Sequence, residues 1–559
     1  MHKNNLNKPK LFNKIKHFFI FNYIGIFFGI IFFCISFLPS LLPRPALYQG
    51  LISGLSFTIG YGIGVFISYI GRILWHKEPS HKIKIYAWWI LGTIGTLAAL
   101  IYLILGKSWQ NQVRTLVGEA PFQNQHILEI AVIAFIVALI LLIICRLIFK
   151  LIKKIGNLLN RWMPKQVSML IGFVIMGIII VLFFNGVIFK LFTNVTNNIY
   201  SKVNNTTAPG INQPNQPERS GSPESLIPWN TLGYQGRNFV ARGPSQQQLQ
   251  NFSGQAPAQQ IRVYAGLQSA PTPEARAQLV VQELERTGAF NRPVLVVACS
   301  TGTGWLEPQS TDSLEYMYSG NSAIASVQYS YLPSWIGFLV DKQNATDAGK
   351  TLYDAVYAKW LTLPEANRPK LIAYGLSMGS FGGQSAFSNV DDLIDRTDGA
   401  LFMGTPSSTP LWQNIENNRD KGTPEWQPTY MLGKNVRFGS ESYSFAKPYS
   451  VTWDNPHIVI MQHASDSVVW WNWDLILEKP DWLRETRGPD VSPSMRWFPF
   501  VTFAQVTVDQ FFGVDVPNGH GHNYPNSIVA AWSNVVPPPS WTADQAINLQ
   551  QIINTYSNE

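Results

Sequence analysis

The sequence predicts a chain in two parts: an N-terminal all-α transmembrane bundle of five helices, then an α/β domain whose mostly parallel sheet is covered by helices. Three observations predict this. The first third is almost continuously apolar, broken by short loops. Beyond about residue 231, β-type runs alternate with amphipathic helical runs, the order that builds a parallel sheet. One β run, KLIAYG, leads directly into Gly375-Leu376-Ser377-Met378-Gly379, a G-x-S-x-G in a strand–turn–helix setting.

Within residues 1–192, five stretches reach the length of about 20 apolar residues that a bilayer crossing needs: 18–38, 50–74, 86–106, 127–149 and 168–192. A basic tail precedes the first. That run exceeds a signal-peptide core and lacks a small-residue cleavage site, so it reads as a retained helix. Lys3, Lys8, Lys10, Lys14 and Lys16 crowd the tail, Lys77, Lys82 and Lys84 the second loop, and Arg146, Lys150, Lys153, Lys154, Arg161 and Lys165 the fourth. The first loop has only Arg44, and the third only Lys107 and Arg114. The alternation places the N-terminus in the cytoplasm and everything beyond residue 192 outside the cytoplasmic membrane. It also accounts for much of the net charge of +8, which argues against nucleic-acid binding. No ionisable residue lies deep in a span, so the helices read as an anchor rather than a transport path. The basic, amphipathic RLIFKLIKKIGNLLNRWMPK is expected on the inner membrane surface. Residues 193–230, rich in Asn, Pro, Ser and Thr, read as a flexible tether.

The domain spans 231–559. Its expected strands are 261–267, 293–299, 323–329, 370–375, 399–404 and 457–463. A helix is expected after Thr272, with Pro273 in its first turn and Gly288 at its end. Another over 345–363 places Leu352, Val356 and Trp360 on one face. The segment 330–340 offers an apolar wall, and 405–450 is placed like a lid. Cys34, Cys145 and Cys299 suggest no disulfide framework.

A reactive serine needs a base, and the base an orienting acid. Of nine histidines, five lie at or before residue 126. Asp466, just past the strand HIVIMQH, suits the acid; Asp454 precedes that strand and is second choice. His457 and His463 belong to the strand and read as structural. The loop VPNGHGHNYP supplies the base as His522, or alternatively His520. The H-x-H pair also admits a metal reading, but no further ligands accompany it. The oxyanion would be met by the N–H of Met378 and by one from the turn after strand 293–299, at Thr301, Gly302 or Thr303. No cofactor or metal is implied.

Together ERSGSPESLIPWNTLGYQGRNFV, STGTGW, QYSYLPSW, GLSMGSFGG, QHASDSVVWW and GHGHNY resemble the bacterial alpha/beta-hydrolase family membrane proteins with an N-terminal multi-helix region. The resemblance covers nearly the whole chain and implies a serine-hydrolase fold with Ser377 at the nucleophile position. Leu376 stands where related sequences often carry an acidic residue. The expectation is a membrane-anchored serine hydrolase, esterase or lipase-like, acting on acyl ester or lipid-like substrates beside the bilayer. The alternatives are acyl transfer to an envelope acceptor, and a non-catalytic receptor or scaffold on a hydrolase fold.

Overall fold

The computed structural model describes residues 21–75, 80–124, 126–183, 186, 189–441, 444–445 and 449–556. Helices occupy all five expected positions: α1 (Tyr23–Ile35), α2 (Ala46–Trp75), α3 (His81–Leu116, with a π turn at Leu91–Gly95), α4 (Ile127–Leu159) and α5 (Lys165–Phe183). Ala46–Leu74, His81–Leu116 and Ile127–Leu159 are long and apolar enough to cross a membrane; Tyr23–Ile35 and Gln166–Ile179 are shorter apolar helices. Residues 18–20 and parts of 184–188 fall outside the described residues.

Glycines bring these helices together. A β-carbon on Gly60 or Gly64 would lie 2.5 Å from the carbonyl oxygens of Phe28 and Ile24 on α1. One on Gly54 would lie 2.7 Å from the Ala134 carbonyl oxygen on α4. Gly50-x₃-Gly54 and Gly60-x₃-Gly64 thus give α2 two close-packing faces, where small residues let helix backbones approach. Gly64→Leu should therefore destabilise the detergent-solubilised protein by about 1–3 kcal/mol or more. Gly62→Leu, where nothing lies within 4 Å, should not, as a thermal aggregation assay would show.

The second part is built on a seven-stranded sheet, ordered β1-β3-β2-β4-β5-β7-β6 and parallel throughout. The strands are β1 (Ile261–Ala265), β2 (Val294–Cys299), β3 (Ala323–Val327), β4 (Lys370–Leu376), β5 (Gly399–Met403), β6 (Val436–Gly439) and β7 (His457–Met461). Their near-complete burial explains the continuous apolar runs, since helices cover both faces of such sheets. The helix Pro273–Arg286 starts on Thr272, whose hydroxyl accepts the Ala275 N–H at 3.1 Å. The next expected helix begins slightly early and runs Lys342–Leu361, with Leu352 and Val356 buried.

Two expectations fail. The segment 405–450 is not a simple lid: it supplies edge strand β6 and the helix Pro410–Asn417, which buries Leu411, Trp412 and Ile415. β6 has four residues and is placed by pairing with β7 and by a bridge from Arg437 to Thr429, so no periodicity announced it. Nor is 193–230 a free tether. Phe189–Asn204 forms helix α6, and the rest straps along the domain. Ser220 N–H donates to Arg262 O at 3.0 Å, Arg262 N–H donates to Glu218 O at 3.2 Å, and the buried Arg219 guanidinium donates to the Val240 and Arg242 carbonyls. Backbone bonds and one buried arginine hold a strand-like segment whose composition offers few apolar groups.

The two parts meet where α1 joins α2 and α3 joins α4. Gln505 Nε2 donates to the carbonyls of Ser36 and Leu38 at 3.1 and 2.9 Å. Buried Asp509 accepts from Ser40 Oγ and Leu41 N–H, both at 3.1 Å. Ser492 Oγ bonds Gln112 Oε1 at 2.8 Å. Leu41, Leu42 and Val117 are wholly buried and belong to the same apolar core as the sheet.

Candidate active site

β4 ends at Leu376 and the helix Met378–Gln384 begins two residues later. Ser377 between them has φ 57° and ψ −124°, a conformation that costs a non-glycine residue about 1–3 kcal/mol. Both flanking glycines are required by space. A β-carbon on Gly375 would lie 2.2 Å from the Gly379 carbonyl oxygen, and one on Gly379 2.3 Å from that of Cys299. The turn is therefore pressed against the end of β2, and Ser377 is held at the carboxyl edge of the sheet, where open α/β folds carry their sites. Cys299 lies beside this turn, but burial pushes its thiol up to about 12, so it stays protonated and is no rival nucleophile.

Asp466 follows β7 and is fully buried. Its Oδ1 accepts the Val468 N–H at 2.8 Å. Its Oδ2 meets His522 Nδ1 at 2.7 Å and the Tyr524 hydroxyl at 2.5 Å. With Nδ1 paired to a carboxylate, the imidazole keeps its proton there and leaves Nε2 as the acceptor. Nε2 is buried and has no partner among the described residues. The main chain that carries the ring is also fixed, since the His522 backbone N–H donates to Gly513 O at 2.6 Å.

Ser377 and His522 converge on the end of β5. Ser377 N–H donates to Met403 O at 2.9 Å. The next residue, Gly404, has φ +55°, and a β-carbon there would lie 2.4 Å from His522 Cε1. Any larger side chain at 404 would displace the imidazole. The order Ser377–Asp466–His522 in the chain thus becomes one neighbourhood at one sheet edge.

The other histidines are engaged elsewhere. His520 Nδ1 lies 3.3 Å from Asp490 Oδ2, which also accepts from Ser465 Oγ at 2.5 Å. His463 Nδ1 meets Gly521 O at 2.8 Å, and its ring stacks on Tyr524 with centroids 4.2 Å apart. His457 Nδ1 meets Asn534 O at 2.6 Å. Asp454 sits at the surface beside Lys434. Of the two histidines left open by spacing, His522 is the one on Asp466.

The expected oxyanion donors divide. The Met378 N–H opens a helix whose Phe381 N–H already takes the Ser377 carbonyl, so it has no acceptor within that helix. Thr301 must be removed from the set, because its N–H closes a turn onto Trp305 O at 2.9 Å. Gly302 N–H has a long contact of 3.4 Å to Ser334 Oγ, one that a stronger acceptor could replace. Two residues escaped the sequence reading, Gly404 and Tyr524. Tyr524 was visible in GHGHNY, but nothing in the spacing says that its hydroxyl turns back onto Asp466.

The alpha/beta-hydrolase family model matches residues 261–549, and the model of that family's N-terminus matches residues 37–244. Comparison with curated proteins and with solved structures gave no match. The parallel sheet, the strained turn at Ser377 and a family model spanning more than half the chain lead to one conclusion: this chain belongs to the alpha/beta-hydrolase family.

Proposed function

We propose that the protein is a membrane-anchored serine hydrolase that cleaves acyl esters at the outer face of the cytoplasmic membrane. The observation that carries this reading is His522, with Nδ1 on a buried carboxylate at 2.7 Å, Nε2 buried and without a partner among the described residues, and its ring against Gly404, next to the Met403 carbonyl that accepts the Ser377 N–H.

Ser377 Oγ attacks the ester carbonyl while His522 Nε2 takes its proton. Asp466 holds the imidazole in this orientation, and the Tyr524 hydroxyl in turn holds Asp466. The oxyanion is met by the N–H groups of Met378 and of Gly302 or Thr303. His522 then returns the proton to the departing alcohol, leaving an acyl-Ser377. Water, deprotonated by the same imidazole, releases the acid and restores the serine.

Membrane anchoring is supported by the three helices of spanning length. The domain docks beside the Lys-poor first and third loops, which argues for five crossings and an outside placement.

The test is covalent labelling of the full-length protein with a fluorophosphonate. Wild type should label and Ser377→Ala should not; equal labelling, or none in wild type, would reject the proposal.

A further inference from the structure

Five large apolar side chains stand exposed around the junction of the two parts: Trp335 (44 %), Phe511 (50 %), Val514 (57 %), Trp473 (65 %) and Leu477 (71 %). Phe511 stacks on Tyr48, with centroids 6.3 Å apart, and the adjacent Phe512 meets the same ring edge-on at 4.9 Å. Tyr48 lies in the first turn of the span Ala46–Leu74. At 1.5 Å of rise per residue, that span is about 43 Å long, more than the roughly 30 Å of a hydrocarbon core. With the domain docked at that end of the span, the excess length puts its first turn at the headgroup layer, where Trp and Tyr collect at membrane surfaces. Trp473 continues the rim through Phe503, centroids 5.4 Å apart, on the helix Val501–Asp509 that carries Asp509 onto the first loop.

The rim also touches both walls of the Ser377 site. Trp335 belongs to the helix Ser334–Val340. The residues entering that helix press on the turn after β2, where a β-carbon on Gly302 would lie 2.3 Å from Leu332 O. Phe511 lies two residues before Gly513, whose carbonyl holds His522. The two walls meet through Trp335 and Phe511, ring centroids 5.7 Å apart. Ser377 itself is only 8 % exposed.

We propose that Trp335 and Phe511 form a gate at the headgroup level of the bilayer, through which the acyl chain of an outer-leaflet ester lipid reaches Ser377. The inference rests on the membrane-anchored serine hydrolase reading and specifies its substrate: an ester lipid taken from the leaflet, not a water-borne ester. Parting the pair brings the scissile carbonyl to the turn while the chain remains against aromatic walls.

The test uses the full-length protein in lipid vesicles and two fluorophosphonates, one with a hexadecyl chain dissolved in the bilayer and one short and water-soluble. Wild type should label faster with the bilayer-borne probe. Phe511→Asp and Trp335→Asp should each lower the bilayer-to-soluble rate ratio about tenfold or more, as a carboxylate replaces apolar wall and an acyl chain does not pass against a charge. Phe511→Leu and Trp335→Phe, which keep the apolar rim, should retain most of it. A wild-type preference for the soluble probe, or an unchanged ratio in both aspartate variants, overturns the gate. Failure of both probes to label Ser377 in wild type instead rejects the hydrolase reading, and the gate with it.

A second measurement is independent of reactivity. A nitroxide on Phe511→Cys can be introduced in a Cys145→Ser background, because Cys34 and Cys299 are buried. It should collide with oxygen more than with a water-soluble nickel chelate. The reverse order would place Phe511 in water and overturn the proposal.

Discussion

His522→Ala should lower the rate of ester cleavage by about 10⁴-fold or more, while His520→Ala should cost less than about tenfold. The two histidines are separated by one glycine, so composition, loop flexibility and distance along the chain are nearly the same for both. They differ in the carboxylate each faces. His522 meets Asp466, which accepts bonds from three donors and is fully buried. His520 meets Asp490 at a longer 3.3 Å, and that carboxylate also serves Ser465. Tyr524→Phe should fall between, at about tenfold, because it removes one of the bonds that orient Asp466 and leaves the imidazole in place. The measurement is kcat/KM on a chromogenic short-chain ester for the three variants. Equal losses for His520→Ala and His522→Ala would contradict the assignment of the base.

The second large effect is expected at Asp509, far from the chemistry in sequence. Asp509→Ala should destabilise the docked protein by about 3–5 kcal/mol. It removes the acceptor for Ser40 Oγ and Leu41 N–H and leaves buried Arg44 without the charge that supports it. The loss should reach the active site. The helix Val501–Asp509 leads through Phe512 to Gly513, whose carbonyl fixes His522, and Leu42 of the first loop packs beside Gly521. Activity should therefore fall with stability.

Asp509 should also make the docking pH-dependent. Burial raises its carboxyl from 3.8 to about 6, so the folded protein holds a proton that the unfolded chain releases. Its contribution is fully present below about pH 4, declines as pH rises to about 6, and is flat above that. The span is at most about 3 kcal/mol. Asp509→Asn cannot titrate and should lack this decline, as melting curves between pH 4 and 7.5 would reveal. A variant that keeps the wild-type slope would locate the titration elsewhere.

Much of this site was legible in the residues. KLIAYG followed by GLSMG specifies a strand, a turn and a small-residue helix because only glycine fits where a backbone carbonyl lies within about 2.3 Å of a β-carbon. Asp466 was legible from its place just past a buried strand. The six long strands announced themselves by continuous apolar runs, and α2 to α4 by their length. The four residues of β6 did not, since a strand that short shows no period and is ordered by the segments it pairs with. The strap 205–228 was misread because composition records side chains, whereas backbone hydrogen bonds hold the segment in place.

The sequence by itself determined the division into an apolar helical part and an α/β part, the order of the strands along the chain, and the strand–turn–helix at Ser377. These depend on local patterns of hydrophobicity and on backbone sterics within a few residues. Tertiary structure alone decided that His522 rather than His520 faces Asp466, that Tyr524 reaches the same carboxylate, that Thr301 has no free N–H, and that the first loop of the helical part seats the helix behind the histidine. Each of these is a contact or hydrogen bond set by three-dimensional packing, mostly between segments 40 or more residues apart, and spacing along a chain carries no information about which of two adjacent side chains will turn inward.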